Sequence, residues 1–286
     1  MSVSYGNLHV DERYSGILEP NLYYNSVFAA GVTFTDKYEI GPAGGIFVHK
    51  LATSACAPGT PGRDFTDEAS QDDLIPIVLN NNFQKSKKIY GVQAAAVEIA
   101  LAEEQLSIAT KEVGEGWNQA GLACLINEGT ASAATTTAST SNFKKLVLAE
   151  RKAIVDAKGM PDTLLVTPEF MAIILEAAGQ EYTPERNEFM NQTGQVGTWL
   201  GMRVVEAAGL SAASATYYDA AGTLTTVSFN KVEFIMYNHE ALSIVDNFDV
   251  ARIVDSENFA GSKAQVELNA GFAVTNADLV RIKKHA

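Results

Sequence analysis

The sequence predicts an α+β fold, and three observations carry that prediction. Residues 92–127 place apolar side chains seven apart, at Val92, Ile99, Leu106, Val113 and Ala120, with a second row through Val97, Leu101 and Ile108. That is the period of one long helix. The last third alternates instead, most cleanly at Val266, Leu268, Ala270, Phe272 and Val274, with Gln265, Glu267 and Asn269 on the opposite face. Period two with one apolar face marks antiparallel strands. Between these regions, residues 142–230 alternate helical and strand-like stretches, as a compact α/β lobe does.

Residues 1–31 read as an extended arm. Tyr5, Tyr14, Ile17, Leu18, Leu22, Tyr23, Tyr24 and Phe28 are scattered without a sustained period, among breaks at Gly6, Gly16, Pro20 and Gly31. Chain ends commonly fray, but this many large apolar side chains argue for docking, with Tyr23 and Tyr24 as contacts to a neighbouring subunit. Residues 32–92 read as an extended hairpin. One arm runs through Val32, Phe34, Tyr38, Ile40, Ile46, Phe47, Val48 and Leu51, and the other through Leu74–Leu79, Phe83, Ile89 and Tyr90. The loop TSACAPGTPGRDFTDEASQDD between them exceeds an ordinary hairpin loop. An isolated two-stranded ribbon is marginal in water, so this hairpin is expected to lie on another subunit. Its tip is acidic: Asp64, Asp67, Glu68, Asp72 and Asp73 face Arg63, while Lys85, Lys87 and Lys88 lie on the returning strand. Two readings stand, a solvated tip and a charge-complementary contact between subunits.

Residues 93–129 form the long helix, roughly 50 Å at 1.5 Å per residue. The chain before it offers no evident surface for it, so neighbouring copies are expected to supply one, with strands at 232–284 covering one face. The seven-residue spacing lasts about four heptads and lacks flanking charges, which argues against a coiled coil. Gly114 and Gly116, followed by Gly121, mark where the helix could bend or end. Residues 130–142, Ala, Ser and Thr up to Asn142, read as a linker. The lobe at 143–230 begins with a helix through Phe143, Leu146, Val147, Ala149, Ile154 and Val155, capped by Ser141 or Asn142 and ended by Gly159 and Pro161. A strand at Leu164–Val166 follows, then a helix that starts at Thr167-Pro168-Glu169 with proline in its first position, then a strand at Met202–Val205. Residues 231–286 carry the alternating strands, among them Val232, Phe234 and Met236, and Val280 and Ile282 between Arg281 and Lys283.

Composition narrows the function. The chain has 286 residues, of which 47% are hydrophobic, enough for one large domain or two modest ones. With 34 acidic and 21 basic side chains its net charge is −13. Gripping nucleic acid by its phosphates requires the opposite sign. Cys56 and Cys124 lack CxxC spacing, which argues against a disulfide framework or a zinc site, and free thiols fit a reducing cytoplasm. The N-terminus has no signal-peptide core, and no apolar stretch is long enough to span a membrane. Nucleotide-binding, hydrolase and metalloprotease motifs are absent. His9, His49, His239 and His285 are dispersed, Glu103 and Glu104 point to different parts of a helix surface, and Asp246, Asp249 and Asp255 lack the EF-hand spacing. No catalytic, cofactor or metal residues are expected, and no enzyme.

With the elements in this order, the chain resembles a tailed-bacteriophage major capsid protein of the Hong Kong 97 fold. The resemblance covers essentially the whole chain. Its local carriers are LLVTPEFMAIILEA at 164–177, VGTWLGMRVVEAAGL at 196–210, VEFIMYNHEALSIVDNFDVARIV at 232–254 and ELNAGFAVTNADLVRIKK at 267–284. The resemblance implies an N-terminal arm, an E-loop hairpin, a spine helix, an axial α/β domain and a peripheral antiparallel sheet. It implies self-assembly into hexamers and pentamers of an icosahedral shell around double-stranded DNA, located in the virion and assembled in the host cytoplasm. It also implies a portal, a decoration protein as an option, and a separate scaffolding protein, because the chain starts almost at the arm; removal of a preceding segment is the other expectation. Some members crosslink an E-loop lysine to a peripheral asparagine with help from a glutamate. Lys50, Asn269 and Glu267 are the nominees here, and no covalent bond is the stronger expectation. An acidic inner wall would let enclosed DNA slide. The alternatives are an encapsulin-type nanocompartment shell and, in another class, an α/β ligand-binding protein.

Overall fold

The computed structural model describes residues 4–5, 8–9, 26–38, 45–51, 72–91, 101–177, 182–184 and 195–286. In chain order, β1 (Ser4–Tyr5) and β2 (Leu8–His9) form a short ladder. Then come β3 (Gly45–Leu51), β4 (Asp72–Val78), β5 (Asn81–Tyr90) and the long helix α1 (Leu101–Glu128). After β6 (Thr130–Ala131) the chain forms α2 (Phe143–Asp156), β7 (Thr163–Val166) and α3 (Pro168–Ala177). Strands β8 (Tyr182–Pro184), β9 (Gln195–Trp199) and β10 (Met202–Glu206) precede a hairpin of β11 (Ser214–Tyr218) and β12 (Leu224–Ser228). The chain closes with β13 (Val232–Tyr237), β14 (Leu242–Asp255), β15 (Gly261–Val274) and β16 (Val280–Lys284).

A mixed seven-stranded sheet in the order β6-β16-β13-β7-β10-β9-β8 organises one half of the molecule. Its central strands are apolar without interruption, Leu164-Leu165-Val166 and Phe234-Ile235-Met236, because both faces are covered. Leu165, Val205, Ile235, Tyr237 and Ile282 join the core that contains α1. Leu164, Val166, Val204, Phe234 and Met236 join a second core with Phe143, Val147 and Ile154 of α2 and Phe170 and Ile174 of α3. The sequence grouped residues 231–286 with the peripheral strands. Instead β13 and β16 complete the sheet of the 143–230 lobe, and only β14 and β15 lie elsewhere.

The second body is a three-stranded antiparallel sheet, β14-β15-β5, against the helix. This corrects the reading of 74–92 as one returning strand. The chain breaks after Val78: β4 pairs with β3, whereas β5 leaves the hairpin and pairs with β15, Phe83 opposite Leu268 and Lys85 opposite Val266. Phe83 packs with Ala109 and Val113 of α1 and Val266 and Leu268 of β15.

Helix α1 runs unbroken through Gly114, Gly116 and Gly121, so it does not end there. Two of these glycines make room for aromatic rings. A Cβ on Gly116 would lie 3.3 Å from the Phe83 ring, and one on Gly121 would lie 2.6 Å from the Phe28 ring. Nor is the face away from the 232–284 strands left to other copies alone, as the sequence suggested. Its own N-terminal chain supplies Val27, Phe28 and Phe34, which are buried on it. Phe34 reaches this position from a turn, not a strand: Val32 and Thr33 both donate to the Ala29 carbonyl. Trp117 gathers Phe28 at 5.8 Å, Phe34 at 6.2 Å and Phe272 at 6.2 Å between ring centroids. Residues 92–100, expected to begin the helix, fall outside the described residues.

The 130–142 segment is tied down, not a free linker. β6 pairs with β16. The fully buried Lys283 ammonium donates to the carbonyls of Ala134, Thr136 and Lys284 at 3.0, 2.8 and 3.0 Å, with a Glu233 oxygen 3.6 Å away. Glu233 also accepts the Ala138 N–H at 2.7 Å, and Glu150 accepts the Ser132 hydroxyl. A buried charge needs this kind of pairing. Asn142 precedes α2 without capping it; its side-chain oxygen accepts from Ser139 N–H instead. At α3 the expected start holds: Thr167 Oγ1 accepts the Phe170 N–H at 3.3 Å, with Pro168 in the first turn.

Gly121→Ala gives a signed test of this packing. Helix propensity alone favours alanine by about 1 kcal/mol. Forcing a methyl into the Phe28 ring opposes it by about 1–3 kcal/mol. Urea unfolding of the variant should therefore show a net loss of stability; a gain would contradict the Phe28 contact.

Candidate assembly surfaces

The β3–β4 hairpin has two unlike faces because strand side chains alternate. On one, Val48 and Ile77 are buried with Val245 and Ala273, and Ile46, Ile75 and Tyr38 pack around them. On the other, Phe47 is 66% exposed and Leu74 54% exposed. Phe47 lies opposite Pro76 and His49 opposite Leu74, so Phe47 and Leu74 are diagonal neighbours on one apolar face. Of the acidic tip, Asp72 and Asp73 open β4 opposite Leu51 and Lys50. Arg63, Asp64, Asp67, Glu68, Tyr23 and Tyr24 lie outside the described residues.

The three lysines of β5 have partners in their own chain. Lys85 and Lys87 both reach Glu112 of α1, at 3.0 and 2.6 Å. Partial burial pushes the Glu112 carboxyl up, but the hydrogen bonds from Lys87 and Lys85 outweigh it and hold it below the usual carboxylate range. Lys88 and Lys263 each sit 5.9 Å from the Phe259 ring centroid. Phe259 also lies 5.0 Å from Tyr90, so the far end of the three-stranded sheet is aromatic and basic.

The residues nominated for a crosslink do not meet within one subunit. Lys50 contacts Asn276 at 3.4 Å, while Glu267 accepts from Asn82 and Gln84 at 2.7 and 3.0 Å. His239 begins a short turn and is held by Asp162, whose carboxylate also accepts the His239 N–H at 3.0 Å. Among the described residues no cluster of three or more His, Cys, Asp or Glu is placed to hold a metal ion. Sequence reasoning missed two polar sites. One is the Lys283–Glu233 node, which an alternating strand pattern conceals. The other is Asn81, buried at the root of the hairpin, to which the run Asn80-Asn81-Asn82 could have pointed as a turn signal.

No protein-family model matches the sequence, and no curated protein does. Comparison of folds is decisive. A structure from Mycobacterium phage Che8 matches with a TM-score of 0.69 at 15% identity, covering 98% of this chain and 98% of that one. The fold is that of phage capsid subunits. The capsid structure of cyanophage P-SCSP1u matches at 0.71 and 11% identity, over 96% of this chain and 92% of that one. The asymmetric unit of the bacteriophage PhiM1 mature capsid matches at 0.68 and 16% identity, over 96% and 91%. The three likenesses cover 96–98% of this chain.

Glu112 ties β5 to α1, and Glu112→Gln tests it. The carboxyl titrates below its unfolded value, so its contribution is present above the unfolded pKa and is lost as pH falls through the folded one. The variant should be about 1 kcal/mol less stable at neutral pH. The gap should close as pH falls below the ordinary carboxylate range; a gap independent of pH would contradict the ion pairs.

Proposed function

We propose that this chain is the major capsid protein of a tailed phage, a structural subunit that builds a closed icosahedral shell of hexamers and pentamers around double-stranded DNA. The observation that carries this reading is the near-complete correspondence in fold with phage capsid structures, 98% of both chains in one case. The apolar face of Phe47 and Leu74 supports it, since a ribbon that leaves such residues in water gains by covering them with another subunit. In this reading the β3–β4 hairpin is the E-loop and α1 the spine helix. The seven-stranded sheet with α2 and α3 is the axial domain, and β14, β15 and β5 form the peripheral sheet. The acidic tip at 64–73 and the arm residues Tyr23 and Tyr24 touch neighbouring copies. The net charge of −13 lets enclosed DNA move without sticking. The role is structural and non-enzymatic, in a virion assembled in the host cytoplasm with a scaffolding protein and a portal. The structural neighbours favour neither the nanocompartment nor the ligand-binding alternative.

Electron microscopy and light scattering of the purified full chain, with co-expressed scaffolding protein, test the proposal. Closed shells are expected from the wild type. Deletion of 53–73 should leave a folded subunit that builds no stable shells. A wild-type chain that stays monomeric under all these conditions, or normal shells from the deletion, would contradict the account.

A further inference from the structure

The chain must change direction between β4, which belongs to the projecting hairpin, and β5, which belongs to the sheet of the body. Only Leu79 and Asn80 separate the two strands. The Asn80 N–H turns back to the Val78 carbonyl at 2.9 Å, so the kink is local. Two side chains then reach a different element. Asn80 Nδ2 donates to the Asp219 carbonyl at 3.0 Å. Asn81 grips Tyr218 twice: its Nδ2 donates to the Tyr218 carbonyl at 3.0 Å, and its Oδ1 accepts the Tyr218 N–H at 2.8 Å. The Asn81 amide thus pairs with the tip of the β11–β12 hairpin as a neighbouring strand would. Asn81 is 3% exposed, and an amide so buried depends on its partners.

The tip it grips is itself fixed. Asp219 Oδ1 accepts the N–H groups of Ala221 and Thr223 at 3.0 and 2.8 Å. Ala215, Tyr217 and Val227 bury the inner face of this hairpin in the α1 core, and Asn127 of α1 donates to the Tyr217 hydroxyl at 2.9 Å. Among the described residues, the projecting β3–β4 hairpin also rests on the small apolar cluster of Val48, Ile77, Val245 and Ala273, with Ile46, Ile75 and Tyr38 around it, and Lys50 reaches Asn276. Apolar contact of this kind has no preferred direction, whereas a hydrogen bond weakens steeply when its angle changes.

We propose that Asn81, assisted by Asn80, is a latch that sets the angle at which the β3–β4 hairpin leaves the body of the subunit. It does so by tying the hairpin root to the β11–β12 tip and, through Tyr217 and Asn127, to the end of α1. A shift of that tip would be transmitted to the hairpin. The latch stands on the geometry of the single subunit; its consequence for shell building rests on the proposed capsid role.

Pulsed electron-spin distance measurement tests it. Spin labels go on Asp73→Cys of β4 and Thr226→Cys of β12, in the full chain with Cys56→Ser and the buried Cys124 retained, diluted with unlabelled chain. The reference protein should give one narrow distance distribution. Asn81→Ala should widen it about twofold or split it, as a released two-state element does. Asn81→Asp, which keeps the acceptor for Tyr218 N–H, should fall between. Asn82→Ala, whose amide donates to Glu267 of β15 at 2.7 Å and not to the β11–β12 tip, should keep the reference width. If Asn81→Ala does not fold by thermal melt, Asn80→Ala is read in its place. A width equal to that of Asn82→Ala overturns the latch. Micrographs of the unlabelled wild type report separately on shells: their absence would sink the capsid role and leave the latch standing.

Discussion

Burial of the C-terminal half of α1 is the constraint from which the rest of the subunit follows. Residues Ala120 to Ile126 are all buried, an unusual state for a surface helix, and they need cover on every side. Strands β14 and β15 supply one side, the β11–β12 hairpin and the turn at 208–211 another, and Phe28 and Phe34 a third. The residue types fit that demand. Ala120, Gly121, Ala123 and Cys124 are small, which lets the Phe28 ring and the surrounding strands approach the helix closely. Large residues at these positions would force the elements apart. The N-terminal half is different: Glu103, Ser107 and Thr110 are exposed, and among the described side chains only Ala109 and Val113 are buried, on the sheet side. One helix therefore serves as a core element at one end and a half-solvated spine at the other.

Polar groups then fix how the elements around the end of α1 are set against one another. Glu128, at the end of α1, accepts the Val274 N–H at 2.8 Å and the Tyr217 hydroxyl at 3.2 Å, joining helix, sheet and hairpin. Its burial pushes the carboxyl above the ordinary range despite these hydrogen bonds. Lys283 and Glu233 do the same for the segment after the helix. Hydrophobic contact alone would hold these elements together without specifying their angles; directional groups at the seams supply the specificity. The projecting hairpin, with a thin apolar seat and one apolar face in water, is the part of the subunit whose geometry depends most on such groups.

Much of this was legible in the sequence because it follows from periodicity. The long helix, the alternating strands of the last third and the proline start of α3 all announce themselves in residue spacing. What escaped was pairing at a distance. Nothing in Leu74–Tyr90 says that Val78 and Asn81 belong to different sheets; the partner of β5 is Gly261–Val274, over 150 residues away. β13 and β16 look like β14 and β15 by pattern, yet they pair with each other, and β13 with β7, in another sheet. The glycines of α1 signalled weakness by propensity, whereas Gly116 and Gly121 accommodate the rings of Phe83 and Phe28. Lys85 and Lys87 looked available to a neighbour until Glu112, on another element, was seen to hold them. The candidate surface was read as charge at the hairpin tip; the structure adds the apolar pair Phe47 and Leu74, visible only once the register is known.

Amide hydrogen exchange along α1 in the unassembled full-length subunit addresses the central claim most directly. If the chain itself encloses the end of its long helix, the amides of 118–127 should be among the slowest in the protein, while those of 103–112 exchange markedly faster. Equal protection along the helix, or faster exchange at 118–127, would mean that the C-terminal half is not the core of the subunit and that its cover must come from other copies.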